Sequence, residues 1–319
     1  MIAETTEPPA AADVDPPLAA GTVLAPGYQV LKHISRGQAL DVYEVFSDER
    51  LCSCIAKVVR PDRRQVGRVA VRLQHEGDIL RRLAHPHLVR CWEVLTEPQL
   101  TVILETVPGP TLEEAVEDRD QRLPAAALAH LGRHLCSALH YLHGEGVLHL
   151  DIRPANVMSQ AGIAKLIDLS LAGAPGPASR GRGTRDYMAP EQALGESMSA
   201  ATDVWGVGAT LYEAATGEPP FAPLDEAEDQ ECEAGGYLQL RRPAPPMRHW
   251  GRRLPRRLGA VIERCLATDP AARPSVDELY AELGAVLDDI AARAAVREAA
   301  AGGSDDDADQ PVGADPSRR

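Results

Sequence analysis

The periodicity of the chain changes once, at Pro108-Gly109-Pro110, and that change limits the folds open to it. Before it, YQVLKHI, DVYEVF and CIAKVV within residues 28–60 alternate as strands do. Residues 64–83 then repeat apolar side chains at helical spacing (Val69, Leu73, Ile79, Leu80, Leu83), and LTVILETV at 100–107 reads as a buried strand. After it, LEEAVEDRD, PAAALAHLGRHLCSALHYLHGEG, DVWGVGATLYEAATG and LGAVIERCLATDP carry helical spacing, the second ending on a glycine stop. The pattern predicts an α+β fold, a small strand-rich unit followed by a larger helical one. VLHLDIRPANVMSQAGIAKLIDL falls early in the helical unit and reads as short strands flanking a loop.

With 319 residues, 44% of them apolar, the chain can bury a substantial core. Its formal charge of −14 argues against a general nucleic-acid binder, whose affinity rests on clustered Lys and Arg, and points to small molecules or proteins as partners. The six cysteines are scattered, with only Cys52 and Cys54 close, as expected of reduced thiols in a cytoplasmic protein. MIAETTEPPA has neither a basic start nor an apolar core, and no stretch approaches the ~20 apolar residues of a membrane span, so neither export nor membrane attachment is expected. Residues 1–26 are rich in Pro, Ala and acids and read as a disordered tail. Residues 287–319 read as a helical extension, DDIAARAAVREAAAGG, followed by a disordered acidic tail.

HLDIRPANV at 149–157 carries the chemistry. Asp151 and Asn156 lie on one short loop, and Asp168 follows the apolar AKLI from a neighbouring strand end. Two carboxylates and an amide offer the oxygen ligands that hard Mg²⁺ ions carrying nucleotide phosphates prefer. Asn156 and Asp168 suffice for the metal, which leaves Asp151 to accept a hydroxyl proton. On its own, the loop is equally consistent with a structural use of Asp and Asn in a tight turn.

The order of the remaining pieces decides between these readings. HLDIRPAN resembles the HRDLKPEN loop of the eukaryotic-type protein kinases, particularly the bacterial serine/threonine kinases. IDLS is similar to their DFG strand end, GTRDYMAPEQ to their GTxxYMAPE segment, and CLATDPAARPS to their late arginine motif, over about residues 28–285. The resemblance implies a two-lobed kinase fold spanning 27–286, with an N-lobe to about 107 and a C-lobe from 108. It implies transfer of the γ-phosphoryl group of ATP, with Mg²⁺, to a protein serine or threonine.

By the same resemblance CIAK matches the VAIK strand, so Lys57 would meet the α and β phosphates and Glu76 would pair with it. Leu104 becomes the gatekeeper, with backbone groups of Glu105 and Val107 as the hinge, and Gly37, Val42 and Ala56 complete the nucleotide site. Thr184 is expected near Asp151, Glu191 against Arg273, and Asp203 on the backbone of the catalytic loop.

Four departures from the family pattern stand out. In ISRGQALDVY only Gly37 of three glycines survives, Ser35 and Leu40 taking the other positions, which implies a looser cover over the phosphates. Leu150 replaces the HRD arginine, removing the partner of a phosphate on the activation segment, although Ser179 lies among Arg180, Arg182 and Arg185. Arg153 replaces the catalytic-loop lysine, keeping the charge on a bulkier fork. Leu169 and Ser170 replace the last two residues of DFG. Together these support an alternative, a pseudokinase acting as a nucleotide-binding or protein-binding scaffold. A small-molecule kinase of the aminoglycoside phosphotransferase kind lacks the GTxxYMAPE segment and its late arginine, both present here.

Two further features invite other chemistry. His130 and His134, and His140 and His143, stand at helical spacings that bind transition metals, without the acid of a zinc-protease pattern. The acidic LDEAEDQECEA at 224–234 and the arginine-rich stretch at 241–258 read as solvated faces or as a docking surface for peptide substrates.

Overall fold

The computed structural model describes residues 15–64, 66–117, 122–160 and 162–302. Six strands, β1 (Val23–Ala25), β2 (Tyr28–Arg36), β3 (Leu40–Ser47), β4 (Cys52–Val59), β5 (Cys91–Leu95) and β6 (Thr101–Glu105), form one antiparallel sheet in the order β1-β2-β3-β4-β6-β5. Helix α1 (Gly67–Arg82) lies between β4 and β5 in sequence and buries Leu73, Glu76, Ile79 and Leu80.

The period of two in β3, β4 and β6 sorts their side chains onto two faces. Tyr43, Val45, Cys54, Ala56, Val58 and Ile103 join Leu24, Ala25, Tyr28 and Val30 in a cluster on one face. Val59, Val102 and Leu104 look the other way, into the core shared with α1 and the helical lobe. Each such buried side chain contributes about 1.5–3 kcal/mol, so a strand with both faces covered is fixed in register.

The second lobe contains α2 (Leu112–Val116), α3 (Ala125–Gly144), the hairpin β7 (Val157–Gln160) and β8 (Ile163–Leu166), then β9 (Gly176–Pro177), α4 (Pro190–Leu194) and β10 (Ser197–Met198). It continues with α5 (Ala200–Thr216), α6 (Glu226–Glu233), α7 (Arg256–Cys265) and α8 (Val276–Gly302). Helix α5 is buried on every side from Thr202 to Thr216, the pattern of a helix running through a core, with Asp203 and Glu213 as its two buried carboxylates. A Cβ at Gly206 would stand 2.9 Å from the Cβ of Ile152, so the glycine lets the loop that precedes β7 rest directly on α5.

Three expectations need correction. Residues 23–26 do not belong to a tail: β1 pairs with β2, Leu24 and Ala25 are buried, and the Leu18 amide donates to the Tyr43 hydroxyl. The Pro-rich composition concealed so short a strand. The strands around HLDIRPAN do not flank the loop: β7 and β8 both follow it and pair with each other, while Leu148 before it makes a single bridge to Gly173. Residue 287 is no boundary either, since α8 runs unbroken across it. The acidic tail and residues 118–120 of LEEAVEDRD lie outside the described residues.

Candidate active site

Asp203, in the first turn of α5, is where the loop is held. Its Oδ2 accepts the His149 amide (2.9 Å) and its Oδ1 the Leu150 amide (2.8 Å), while His143 Nε2 lies 2.8 Å from Oδ2. Leu150 has φ 65°, a left-handed conformation that costs a leucine of order 1–3 kcal/mol. Asp203 holds its N–H, and Gln192 Nε2 donates to its carbonyl at 2.9 Å, so packing on both sides enforces the turn. The turn leaves Asp151 partly exposed between two donors. Thr184 gives its amide (3.2 Å) and hydroxyl (2.8 Å) to Oδ1, and Asn156 Nδ2 donates to Oδ2 (3.0 Å) and to the Asp151 carbonyl (2.8 Å).

Lys57 joins three elements. Its Nζ lies 2.6 Å from Glu76 Oε1 on α1 and 3.3 Å from Asp168 Oδ2 after β8. Burial works against the ammonium, but Asp168 and Glu76 outweigh it and raise the Lys57 pKa, so the group stays charged. Burial pushes the Asp168 carboxyl up, yet Lys57 and the Ser170 amide at 2.8 Å from Oδ1 bring it down to about 2. Glu76 is fully buried and its pKa is raised by that burial, which Lys57 only partly offsets; its Oε2 has no hydrogen-bond partner.

Strand register decides which predicted nucleotide residues face this cluster. Val42 pairs directly with Lys57 and shares its face. Ala56 does not: it pairs with Tyr43 and is fully buried in the cluster on the opposite face, so its assignment to the nucleotide site is corrected. The residue on the Lys57 face is Ile55, two positions before the lysine, which the CIAK alignment already places at the small residue of VAIK. Leu104 pairs with Ile55 and is buried on this face. After it the Glu105 carboxylate turns to the Arg90 amide (2.9 Å) and Lys165 Nζ (2.5 Å), and Val107 packs half-buried against the main core. Met158 pairs with Lys165 across the β7–β8 hairpin and so shares the face turned to this segment, a second position the sequence reading missed.

The turn between β2 and β3 differs from the loose cover expected of it. Gly37 has no left-handed φ, and a Cβ there would meet only the Leu40 carbonyl at an ordinary 3.5 Å. Arg36 grips Asp41 with Nε (2.7 Å) and Nη2 (2.8 Å) across the base of the turn. Arg60 clamps its tip, Nη1 donating to the Gly37 carbonyl (2.8 Å) and its amide to the Ala39 carbonyl (3.0 Å). Ionic and backbone hydrogen bonds therefore fix a tip that the family pattern builds from glycines.

Leu150 and its surroundings show what replaces the HRD arginine. Its side chain is buried with Leu148 and Met198, against Leu171 and Ala178 of the activation segment. The arginines around exposed Ser179 are already engaged: Arg180 Nε donates to the Ala193 carbonyl (3.1 Å), Arg182 Nη2 to that of Leu171 (2.8 Å), and Arg185 to that of Cys232. Glu191 and Arg273 form a buried bidentate pair at 2.7 and 2.9 Å. Arg153 Nη1 lies 3.4 Å from Glu113 Oε1, and its Nε 3.9 Å from Asp151 Oδ2.

Comparison with known proteins fits this geometry. The family model described as protein kinase domain matches residues 28–283, four-fifths of the chain. The chain belongs to the protein kinase family. Among curated relatives, this kinase domain is 32% identical over 255 residues to the serine/threonine-protein kinase PkaA of Streptomyces coelicolor, covering 75% of this chain and 44% of the relative. It is 32% identical over 246 residues to PknB of Mycobacterium tuberculosis (71% and 37%) and 30% identical over 253 residues to PknD of the same organism (77% and 37%). The chain thus spans less than half the length of these relatives.

The remaining expectations resolve within the kinase domain. Among the described residues no group of three His, Cys, Asp or Glu could hold a metal; His134 stacks on His87 at 4.2 Å, and His140 and His143 face Asp277 and Asp203. The acidic and basic stretches meet each other, Glu228 on Arg242 and Glu231 on Arg241. As a magnesium site the donor set fits: Asn156 uses only its Nδ2 in the contacts above, leaving Oδ1, and Asp168 is ionised beside it. No helix among the described residues is long and apolar enough to cross a membrane.

Proposed function

We propose that this chain transfers the γ-phosphoryl group of ATP to serine or threonine hydroxyls of a protein. The observation that carries this reading is the cluster Lys57–Glu76–Asp168, with Asp151 held by Asn156 and Thr184 on the adjoining loop. Magnesium, held by Asn156 and Asp168, would neutralise charge on the transferring phosphoryl group. Lys57 binds phosphate oxygens, fixed in place by Glu76. Val42, Ile55, Leu104 and Met158 enclose the base, and backbone groups of Glu105 and Val107 meet its edge. Asp151 orients the acceptor hydroxyl and takes its proton, while Thr184 holds Asp151 in the orientation that does so. Arg153 contributes positive charge beside them. Catalysis of this kind rests on positioning and charge neutralisation.

The substrate proteins and their cellular setting belong to the same proposal. All six cysteines are free thiols, four of them buried, which supports a reducing cytoplasmic setting. The test is purified protein with Mg-ATP and a serine-rich acceptor protein, beside Asp151→Asn and Asp168→Ala. Phosphorylation of serine or threonine that each variant abolishes is expected. A nucleotide-dependent rise in Tm without transfer would overturn the reading in favour of a scaffold.

A further inference from the structure

Resting on that functional reading, we infer that Glu113 is a positioning residue for the reaction: it holds the Arg153 guanidinium away from Asp151 and leaves its unpaired donors for the transferred phosphoryl group. Glu113 is 40 positions from Arg153 in sequence, on the first turn of α2. That turn is rigidly set by a capping box, the Glu114 amide donating to Thr111 Oγ1 at 3.2 Å and the Thr111 amide to Glu114 Oε2 at 2.7 Å. The capping box fixes the backbone at Glu113, from which its partly exposed carboxylate reaches Arg153 on the catalytic loop.

Arg153 sits between two carboxylates. Nη1 is 3.4 Å from Glu113 Oε1, whereas Nε is 3.9 Å from Asp151 Oδ2, too far for a hydrogen bond, and is buried without any partner. A buried guanidinium N–H left unpaired is destabilising, so it is a donor that an anion arriving in the site relieves. Besides Glu113, the carboxylate within 4 Å of the fork among the described residues is that of Asp151. Closing onto it would form a charge-assisted pair of the strong bidentate kind. That pair occupies Oδ2, which the proposed role needs for the acceptor proton.

The need arises from the arginine itself. A lysine at this position is a single point charge on a flexible four-carbon stem, whereas the planar fork spans two acceptors at once. Glu113 supplies the second acceptor. Buried Glu213, 2.6 Å from the Tyr187 hydroxyl, marks how acidic this corner is: burial pushes its carboxyl up to about 7, with Glu113 adding to the push and Arg153 opposing it.

The experiment is a cycle of Glu113→Ala, Arg153→Lys and the double variant, with kcat and KM for ATP measured on one acceptor protein and Tm recorded for each. Glu113→Ala removes the acceptor and is expected to lower kcat about 10-fold with KM for ATP within twofold, since only the orientation of the fork changes. In the Arg153→Lys background the same change is expected to have less than a twofold effect, because the lysine does not need the second carboxylate. A Glu113→Ala variant with kcat within twofold of the wild type overturns the proposal. So does an equal loss in both backgrounds, which marks a structural role. Absence of transfer by the wild-type protein itself overturns the functional reading, and is told apart by being present before any substitution is made.

Discussion

Single residues fix the two lobes' chemistry through contacts far apart in sequence. The Arg273 side chain is fully buried against Glu191, which is 3% exposed, and also donates to the carbonyls of Ala267, Ala201 and Thr268. Replacing Arg273 by leucine leaves the Glu191 carboxylate buried and unpaired, so a loss of about 3–5 kcal/mol in urea unfolding is expected. Lysine there should recover less than half of that loss, since it cannot form the bidentate pair. The face of β4 makes a second test at this scale. Ile55→Phe should raise KM for ATP several-fold at nearly constant Tm, whereas Ala56→Phe should lower Tm, because overpacking the opposite cluster costs about 1–3 kcal/mol. Lys57, Glu76, Asp151, Asn156, Asp168 and Asp203 were legible in the sequence because each sits in a short motif with a fixed offset. Ile55 was legible too, two positions before Lys57 and so on the lysine's side of the strand, but the small side chain of Ala56 drew the assignment one position too far; Met158 depends on the register of the β7–β8 hairpin, which no local signal sets.

At the scale of elements, the activation segment is held without a phosphate. Strand β9 pairs with β10, Leu171 and Ala178 pack on Leu148, Leu150 and Met198, and Arg182 spends its guanidinium on the segment's own backbone. An apolar contact of this kind does not depend on modification, so treatment with a protein phosphatase, or Ser179→Ala, should leave kcat/KM within twofold. Met198→Ala should act oppositely. Truncating that buried side chain removes about 2–5 kcal/mol of packing, and is expected to open residues 174–186 to limited proteolysis and to lower kcat in parallel. Faster cleavage of the Ser179→Ala variant, or none of Met198→Ala, would falsify this account of the segment. The sequence indicated that a phosphate partner was missing at Leu150. It did not reveal the apolar replacement, because Leu148, Met198 and Ala178 converge only once α4 and the paired strands have formed. The tip of the β2–β3 turn was misread for a related reason: the clamp comes from Arg60, at the far end of β4.

Across the whole molecule, two titrating groups, one half-buried and one buried, pull the pH dependence of stability in opposite directions. His134 is half-buried on α3, stacked on His87 from the segment after α1; burial first, then the charge of His87, lowers its pKa to about 4. Its folded pKa lies below the unfolded value near 6.5, so its stabilisation is complete above that value and is lost as pH falls toward 4. Glu213 is the reverse. Its pKa is raised from 4.5 to about 7, so its stabilisation is complete below 4.5 and is lost as pH rises through 7. Over the shared window the two slopes oppose each other, and substituting either one should expose the other. Glu213→Gln resembles the protonated acid, so it should match the wild type near pH 4.5 and become relatively more stable toward pH 8, by on the order of 3 kcal/mol. His134→Phe keeps the stacked ring without the charge, so it should lose less stability than the wild type between pH 6.5 and 4. Urea unfolding at half-unit pH steps separates these outcomes, and a pH-independent difference between Glu213→Gln and the wild type would show that the Glu213 carboxyl does not titrate in this range.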